Sequence, residues 1–395
     1  MISHRQIFFQ HVGQTSQNPM ALEIVKAEGI YMYDNKGKKY IDLVSGVSVS
    51  NVGHRHPKVI KAVKDQLDKY MHLMVYGEYI QNPQVKFAEL LTQQLPEKLN
   101  AVYFVNSGSE AIEGAMKLAK RYTGKPEIIA FKNAYHGSTH GALSLMNDEN
   151  LTQAFRPLIP GISFLDFNDV SQISKITEHT AAVVIEAIQA EGGIVPADYD
   201  FMKTLRKHCD ETGTLLIIDE IQTGFGRTGK LFAFEHYDIV PDIICIAKGM
   251  GGGMPIGAFV ADTEIMKTLT FNPALGHITT FGGHPVSAAG ALASLEIIIE
   301  NNLSDEANRK GQLYIDALKN HPKVKSVRGK GLFLAFELKG ENSVEKVINK
   351  GVELGFISDA FLFDNTRFRI APPLTITDDE ISISVELVRN ALNDL

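Results

Sequence analysis

The chain has 395 residues, of which 44% are hydrophobic and 22% are charged, proportions close to those of an average globular protein. This composition excludes collagen, coiled coil and intrinsic disorder as descriptions of the whole chain, and the length allows one large domain or two to three smaller ones. The net charge of −7, without a Lys/Arg cluster, argues against a nucleic-acid-binding protein. Two cysteines, Cys209 and Cys245, are too few for a disulfide framework.

No targeting or membrane segment is expected from the sequence. Residues 1–10 lack the apolar core of a signal peptide, and no stretch approaches the roughly 18 consecutive apolar residues of a membrane-spanning helix. We therefore expect a cytoplasmic protein that has no membrane partner.

Residues 1–50 form a first zone of mixed character. Their clearest pattern is the alternation of polar and apolar residues over 29–34, followed by Asn35-Lys36-Gly37. Because Asn and Gly are typical of tight turns, this pattern predicts a β-hairpin.

From about residue 55 to 290, short apolar runs alternate with amphipathic helical patterns such as 109–122 and 201–212. Strands separated by helices predict βαβ units and a largely parallel sheet with helices on both faces. Ligands of such sheets bind at the strand ends, where the glycines of this zone are concentrated. The predicted strands are Ala101–Val105, Ile128–Phe131, Ile162–Leu165, Ala182–Ile185, Leu215–Asp219, Ile243–Ala247 and Ile256–Ala261.

The last zone has a different pattern and predicts a second domain of α+β type. It opens with a long helical pattern over Pro285–Glu300. We therefore predict an α/β protein with an N-terminal segment (1–50) that packs with the small domain, a large domain (51–288) and a small α+β domain (289–395). The further elements predicted in the last zone are helices Ser304–Asn320 and Ser343–Leu354 and strands Leu332–Leu338 and Phe368–Ile370.

A phosphate site is suggested where the first strand of the middle zone ends, at Val105. Ser107, Gly108 and Ser109 follow, and a helical pattern begins behind them. Their backbone N–H groups and hydroxyls could hold an anion, which the helix dipole favours. The same residues fit an ordinary helix start with Ser109 as the capping residue, and this segment alone favours that interpretation.

Two other strand ends carry side chains suited to an aromatic ligand. Tyr135 follows the run 128–131 and could stack on a planar group, although an aromatic residue at such a place is more often part of the core. Asp219 ends the apolar run 215–219, where a buried carboxylate needs a partner. A cationic ring nitrogen of a ligand or a structural Arg or Lys would be equally suitable as the partner of Asp219.

Lys248 is the strongest chemical signal in the sequence. It ends an apolar strand pattern and is followed by Gly-Met-Gly-Gly-Gly, which has little side-chain bulk. Partial burial there lowers the pKa of a lysine, so that its amine becomes a nucleophile toward an aldehyde. Because a structural lysine would more usually lie on a solvated face, the pattern favours the functional interpretation.

Two glycine-rich segments imitate nucleotide-binding motifs without fulfilling them. Gly224–Leu231 nearly matches the phosphate-loop pattern, but Leu231 stands where Ser or Thr would hold Mg²⁺. Residues 249–257 do not fit G-x-G-x-x-G in any register. The 13 histidines show no metal-ligand spacing on a helix, so we predict no metal site.

Taken in order, these segments resemble the class III pyridoxal-phosphate aminotransferases of the ornithine and acetylornithine type. The most specific part is 218–229 (IDEIQTGFGRTG), with Lys248 at the expected distance behind it. The resemblance extends from 53–57 to 369–373 and includes 184–193 and 279–285. It implies fold type I of the pyridoxal-phosphate-dependent transferases, and a homodimer whose active sites are shared between the subunits.

The resemblance also implies roles for individual residues. Lys248 would be attached covalently to pyridoxal 5'-phosphate and would move the substrate proton, while Asp219 would keep the ring nitrogen protonated. Tyr135 would stack on the ring and Gln222 would lie near its phenolic oxygen; His136, beside Tyr135, is assigned no proton-transfer role. The remaining implied cofactor-binding residues are Glu186, the phosphate-binding Ser107, Gly108 and Ser109, and Thr280, which would reach the phosphate of the partner subunit.

On the substrate side, the resemblance pairs Glu191 with Arg369. The glutamate would hold the arginine while an amine tail is bound, and would release it to bind a carboxylate. A constitutive salt bridge is the alternative, and the family match favours the functional role. Two positions depart from the family. Ser138 stands where an arginine often contacts a substrate carboxylate. Val47 stands where ornithine aminotransferases have tyrosine, which argues against free ornithine as the substrate.

The implied function is ping-pong transfer of an amino group from an ω-amino or acylated diamino acid, such as acetylornithine, to a 2-oxo acid such as 2-oxoglutarate. Lysine, 4-aminobutyrate or a β-amino acid are alternative donors. An aminomutase or racemase on the same fold, which keeps the amino group within one molecule, is an alternative enzyme class. A non-catalytic protein would be expected to lack the lysine or the aspartate, and both are present.

Overall fold

Strands and helices alternate along residues 2–395, the part of the chain that the computed structural model describes. The strands are β1 Ile24–Glu28, β2 Tyr31–Asp34, β3 Lys39–Asp42, β4 Ala101–Val105, β5 Glu127–Phe131, β6 Ile162–Leu165, β7 Thr180–Glu186, β8 Ile188–Gln189, β9 Val195–Pro196, β10 Leu215–Asp219, β11 Ile243–Ile246, β12 Gly257–Ala261, β13 Val324–Lys330, β14 Phe333–Leu338, β15 Phe356–Ile357 and β16 Arg367–Ile370. The α-helices are α1 His4–His11, α2 Ser45–Ser48, α3 Pro57–Leu67, α4 Asn82–Thr92, α5 Gly108–Thr123, α6 His140–Ser144, α7 Glu149–Thr152, α8 Tyr199–Thr212, α9 Thr263–Met266, α10 Pro285–Glu300, α11 Leu303–Leu318, α12 Ser343–Leu354 and α13 Asp378–Asn393.

The largest sheet has seven strands in the order β4-β12-β11-β10-β7-β5-β6. The pairs along β11-β10-β7-β5-β6 are parallel, whereas β12 is antiparallel to both β11 and β4. All seven strands lie where the apolar runs of the middle zone predict them, within two residues at each end. The predicted α/β fold with a mostly parallel sheet is therefore confirmed.

Burial on both faces explains why these strands read as continuous apolar runs. Every residue of β7 is buried. Ala182 and Val184 join the core on the α5 side of the sheet, while Val183 and Ile185 join the core that includes α8. The helix α5 packs closely because Gly114 has no side chain: a Cβ atom there would lie 2.3 Å from the ring of Phe259. The central strand β7 is thus excluded from water on both faces.

The predicted hairpin of the first zone is confirmed, since β2 and β3 pair antiparallel across residues 35–38. In addition, β3 pairs in parallel with β15 of the last zone. A separate antiparallel sheet, β13-β14-β16, lies in the last zone. The predicted helices and strands of this zone are present within two residues of their expected ends, but β13 and α13 were not predicted.

The three-part division into 1–50, 51–288 and 289–395 stays a proposal. Its second boundary falls inside α10, a continuous helix that packs against α3 and α4. The zones are also joined by Arg227, whose buried guanidinium donates hydrogen bonds to the Leu332 and Pro372 carbonyls and to Asn51 Oδ1.

Among residues 2–395, none of the helices combines the length and the apolar character needed to span a bilayer. The same part of the chain contains no group of three or more His, Cys, Asp or Glu side chains placed to hold a metal ion.

Candidate active site

A cavity of about 420 Å³ lies at the carboxyl ends of the parallel strands of the main sheet. Loops that follow β4, β5, β7, β10 and β11 all contribute to it, because the carboxyl ends of parallel strands meet at one edge. The structure thus brings together most of the residues singled out from the sequence. Those lining the cavity are Ser107, Gly108, Ser109, Tyr135, Glu186, Glu191, Asp219, Gln222 and Lys248.

The predicted phosphate site is the first turn of α5. Ser107 is the capping residue, since its Oγ accepts a hydrogen bond from the Glu110 N–H at 3.2 Å. The expectation that Ser109 would be the cap is therefore wrong: the helix begins one residue after Ser107, at Gly108. A Cβ atom at Gly108 would lie 2.8 Å from the Ile221 side chain, so a larger residue there would have to displace that side chain. N–H groups of a first helical turn are well placed to bind an anion.

Asp219 lies at the end of β10, and 4% of its surface is exposed. Its Oδ2 is 2.7 Å from His136 Nδ1, and its Oδ1 accepts a hydrogen bond from the Ile221 N–H at 2.9 Å. Among the described residues Asp219 forms no ion pair with an arginine or lysine. The structural cation that the sequence allowed as its partner is therefore not found there. One carboxylate held by two donors at the cavity wall can hold a protonated ring nitrogen in place.

His136 was given no role from the sequence, and it is the main residue that sequence reasoning missed. Burial lowers the pKa of His136, but the hydrogen bond to Asp219 and the charges of Asp219 and Glu186 outweigh burial and raise it overall. Its Nε2 atom is buried and has no hydrogen-bond partner within residues 2–395. Its position directly after Tyr135 is the one signal that could have pointed to it.

Lys248 follows β11, next to the strand that carries Asp219. Its φ of +49° is unusual for a residue with a side chain, and the turn Lys248–Gly251 holds it there. Burial lowers the pKa of the Lys248 ammonium, and the charges of Asp219 and Glu191 oppose this only in part. Its side chain lines the cavity. It is therefore available for covalent chemistry, as its position in the sequence predicts.

Three further cavity residues, Gln222, Tyr135 and Glu186, contribute polar groups. Those of Gln222 are available to a ligand, while Glu186 fixes the backbone of Tyr135. Both side-chain polar atoms of Gln222 are buried without a partner within the described residues. Tyr135 places its hydroxyl 3.0 Å from Ser138 Oγ and donates its N–H to Glu186 Oε2 at 3.2 Å. Burial raises the pKa of Glu186 to about 7. Unpaired buried amides are rare in proteins, so Gln222 indicates a missing polar ligand.

Together these groups fit pyridoxal phosphate. The first turn of α5 suits the phosphate, Asp219 suits the ring nitrogen, and the unpaired Gln222 amide suits a ring oxygen. Lys248 supplies an amine for the aldehyde carbon.

The expected pair of Glu191 and Arg369 is formed at the edge of the cavity. Arg369, on β16, is 1% exposed, and its Nη2 donates a hydrogen bond to Glu191 Oε1 at 2.9 Å. The second Glu191 oxygen accepts from the Leu362 N–H at 3.2 Å. A further carboxylate, Asp359 Oδ1, lies 3.0 Å from Arg369 Nε. Nothing in the sequence pattern indicated Asp359.

Two residues named from the sequence lie apart from this cavity. Thr280 is on the loop before α10, and its Oγ1 is 3.3 Å from the Tyr76 hydroxyl. Val47 has a φ of +62° within the short α2 segment, and Val49, two residues later, lines the cavity instead. The contact of Thr280 with the partner subunit stays a prediction.

Glu220, the neighbour of Asp219, leads to a prediction about stability and pH. It is fully buried and accepts hydrogen bonds from Thr223 Oγ1 at 2.5 Å and from the Phe234 N–H at 2.8 Å. Burial raises its pKa from 4.5 to about 7. The pKa of Glu220 is higher in the folded than in the unfolded chain. The contribution of Glu220 to stability is therefore complete below pH 4.5 and is lost as the pH rises through about 7. The loss amounts to about 3 kcal/mol.

We expect Glu220→Gln to flatten this dependence. The apparent melting temperature of the wild type should fall between about pH 5 and pH 8, and that of the variant should fall less. Thermal unfolding followed by circular dichroism checks this, with Glu211→Gln on the exposed face of α8 as the control. Parallel decreases in wild type and Glu220→Gln would contradict the assignment of the pKa.

Comparisons with known proteins agree with the site. The family model described as "Aminotransferase class-III" matches residues 12–392. The chain is 39% identical to the acetylornithine aminotransferase of Methanopyrus kandleri, with 97% of this chain and 96% of the relative covered. It is also 39% identical to the acetylornithine aminotransferase of Bacillus subtilis, with 94% and 95% covered.

Solved structures show the same fold. The ornithine aminotransferase of Toxoplasma gondii superposes with a TM-score of 0.91 at 29% identity, covering 98% of this chain and 94% of that one. An aminotransferase of Bacillus anthracis gives a TM-score of 0.92 at 29% identity, covering 99% and 98%. With the lysine, the aspartate and the family match in one place, this chain belongs to the class III aminotransferases and is a pyridoxal-phosphate-dependent transaminase of fold type I.

Proposed function

We propose that this transaminase moves the terminal amino group of an ω-amino or acylated diamino acid, of the acetylornithine type, to a 2-oxo acid such as 2-oxoglutarate by a ping-pong mechanism. The observation that carries the proposal is the buried ion pair of Glu191 and Arg369 beside Lys248. While paired, Arg369 is neutralised, and the site favours a donor that enters with an uncharged or amine-bearing chain. Once released, Arg369 can bind the carboxylate of the 2-oxo acid in bidentate fashion.

The names of the relatives support this class of donor. Two acetylornithine aminotransferases cover nearly the whole chain, and a Sulfolobus acidocaldarius relative at 37% identity is named [LysW]-aminoadipate semialdehyde/glutamate semialdehyde transaminase.

Bound pyridoxal phosphate supplies an aldehyde carbon for the amino group and a ring that accepts electron density from the donor carbon. The lowered pKa of Lys248 favours its neutral amine, which would hold the cofactor and, when free, would take the proton from the donor carbon. Asp219, fixed by His136 and by the Ile221 N–H, would keep the ring nitrogen protonated.

The proposal includes further cofactor contacts. Tyr135, whose backbone N–H is fixed by Glu186, would stack on the ring. Gln222 would donate its unpaired amide to the ring oxygen. The first turn of α5, with Ser107, Gly108 and Ser109, would bind the phosphate.

We further propose a cytoplasmic homodimer with shared active sites, in which Thr280 reaches the phosphate of the partner subunit. The loop around Thr280 supports this, because it exposes large apolar side chains, as subunit interfaces do. These residues, all at least half exposed, are Phe271, Leu275, Ile278 and Phe281. Both cysteines are free and buried, as is common in a reducing compartment.

A donor panel tests the proposal. With 2-oxoglutarate as acceptor, we expect acetylornithine and succinylornithine to give the highest kcat/KM, above lysine, 4-aminobutyrate and a β-amino acid, because acylation removes the charge of the second amine. Glutamate should form one for one with the carbonyl product, measured by chromatography. A donor converted equally fast without any 2-oxo acid would contradict amino transfer and favour an aminomutase. A clear preference for 4-aminobutyrate would contradict the acylated donor.

A further inference from the structure

Arg369 is held between two carboxylates rather than one. Glu191 accepts a hydrogen bond from Nη2 at 2.9 Å, and Asp359 Oδ1 lies 3.0 Å from Nε on another edge of the guanidinium. Neither Arg369 Nε nor Asp359 Oδ1 has a hydrogen-bond partner within the described residues, so their contact has the distance of an ion pair without hydrogen-bond geometry. Asp359 therefore acts on Arg369 mainly through its charge.

The backbone keeps Asp359 in this position. The Arg369 N–H donates to the Asp359 carbonyl at 3.0 Å, and Ala360 pairs with Phe368 in an isolated bridge. Ser358 Oγ also donates to the Arg369 carbonyl at 2.7 Å. Because these bonds set the register of the two segments, Asp359 stays beside Arg369 even when the Glu191 side chain moves away.

Two carboxylates lie within ion-pair distance of the single Arg369 guanidinium. Glu191 and Asp359 contribute two carboxylates against one guanidinium, whose face also lies 4.7 Å from the centre of the Phe361 ring. Arg369 Nη1 is buried and has no hydrogen-bond partner among the described residues. A substrate carboxylate that binds there meets the repulsion of a carboxylate that cannot withdraw.

We propose that Asp359 is a specificity-determining residue that weakens the binding of substrate carboxylates at Arg369. α-Amino acids, whose reacting amine stands on a carbon that bears a carboxylate, are thereby disfavoured as donors. This inference rests on the proposed function, in which Arg369 is the carboxylate site. If Asp359 instead only oriented Arg369 for its ligand, removing the Asp359 carboxylate would weaken the binding of substrate carboxylates rather than strengthen it.

The test is Asp359→Asn in the pyridoxal-phosphate-loaded enzyme, with glutarate as an unreactive dicarboxylate probe. We expect calorimetry to show glutarate binding about tenfold tighter than to wild type, the order expected for removal of one nearby like charge. The KM for 2-oxoglutarate should fall in parallel, and transfer from an α-amino acid such as alanine should rise. The kcat for the terminal-amine donor should change by less than about twofold.

Two variants separate charge from structure. Asp359→Glu keeps the charge and should bind glutarate as weakly as wild type. Asp364→Asn removes a carboxylate of the same loop that pairs with Arg328 and Arg367, so it should lower the melting temperature without tightening glutarate binding.

The outcomes distinguish the inference from the proposed function. If wild type binds glutarate in competition with 2-oxoglutarate and Asp359→Asn binds it equally or more weakly, the role of Asp359 is wrong and the proposed function stands. If glutarate binds to neither protein, Arg369 is not a carboxylate site, and both are overturned.

Discussion

Replacing Lys248 with alanine is expected to abolish transamination and the visible absorbance of the covalently attached cofactor. No other amine occupies the same position: the lysine stands at the end of β11 beside Asp219, and burial lowers its pKa. Because we propose that the lysine both holds the cofactor and moves the proton, we expect a loss of at least about 10⁴-fold in kcat, more than one acid–base role alone contributes. Steady-state kinetics and an absorbance spectrum of the purified protein check this.

Lys207→Ala is the matched control, since this lysine lies on the exposed face of α8 and its side chain is 78% exposed. Borohydride treatment of the wild type followed by peptide mass spectrometry should find the reduced cofactor on Lys248. An unchanged spectrum in Lys248→Ala, or the label on another lysine, would refute the assignment.

Asp219→Asn should lower kcat by about 10²-fold or more, the size found for other groups that stabilise charge in a transition state. Asparagine keeps the shape of the side chain but lacks the negative charge that favours a protonated ring nitrogen. It also weakens the contact with His136, which is 2.7 Å from Asp219 in the native site. The cofactor should remain attached, because Lys248 is unchanged.

The measurement is kcat for each half-reaction, together with the absorbance spectrum that reports on the protonation of the ring. Asp210→Asn, on the surface of α8 with a 66% exposed side chain, serves as the control. Retention of more than about a tenth of the wild-type kcat in Asp219→Asn would contradict a central role for this carboxylate.

Local patterns accounted for most of the fold. The central strands of the main sheet, such as β7 and β10, could be predicted because burial on both faces produces an apolar run that needs no knowledge of its neighbours. By contrast, β13 was missed because it is half exposed and contains charged residues and glycine. The helix α13 was also missed, although Thr377 and Glu380 form a capping box that the sequence contains.

The chemical groups of the site were equally visible in short segments. Lys248 and Asp219 each end an apolar strand, and a lysine or carboxylate at such a place demands an explanation whatever the rest of the chain does. The start of α5 was placed near Ser109, and its capping residue was assigned incorrectly. The cap depends on the backbone angles at Ser107, and the residue types Ser-Gly-Ser allow either serine to serve.

Residue identities and their apolar pattern were enough to establish the fold class and the family and to predict the covalent role of Lys248, because these depend on short-range patterns. The folded chain was needed to show how distant residues meet: His136 pairs with Asp219 across 83 positions, and Arg369 pairs with Glu191 across 178. The folded chain also places Asp359 beside Arg369, next to an isolated β-bridge. The pattern of apolar residues in the sequence does not predict the register of this bridge. Charge interactions act through space rather than along the chain, so the electrostatics of the site followed only from the path of the backbone.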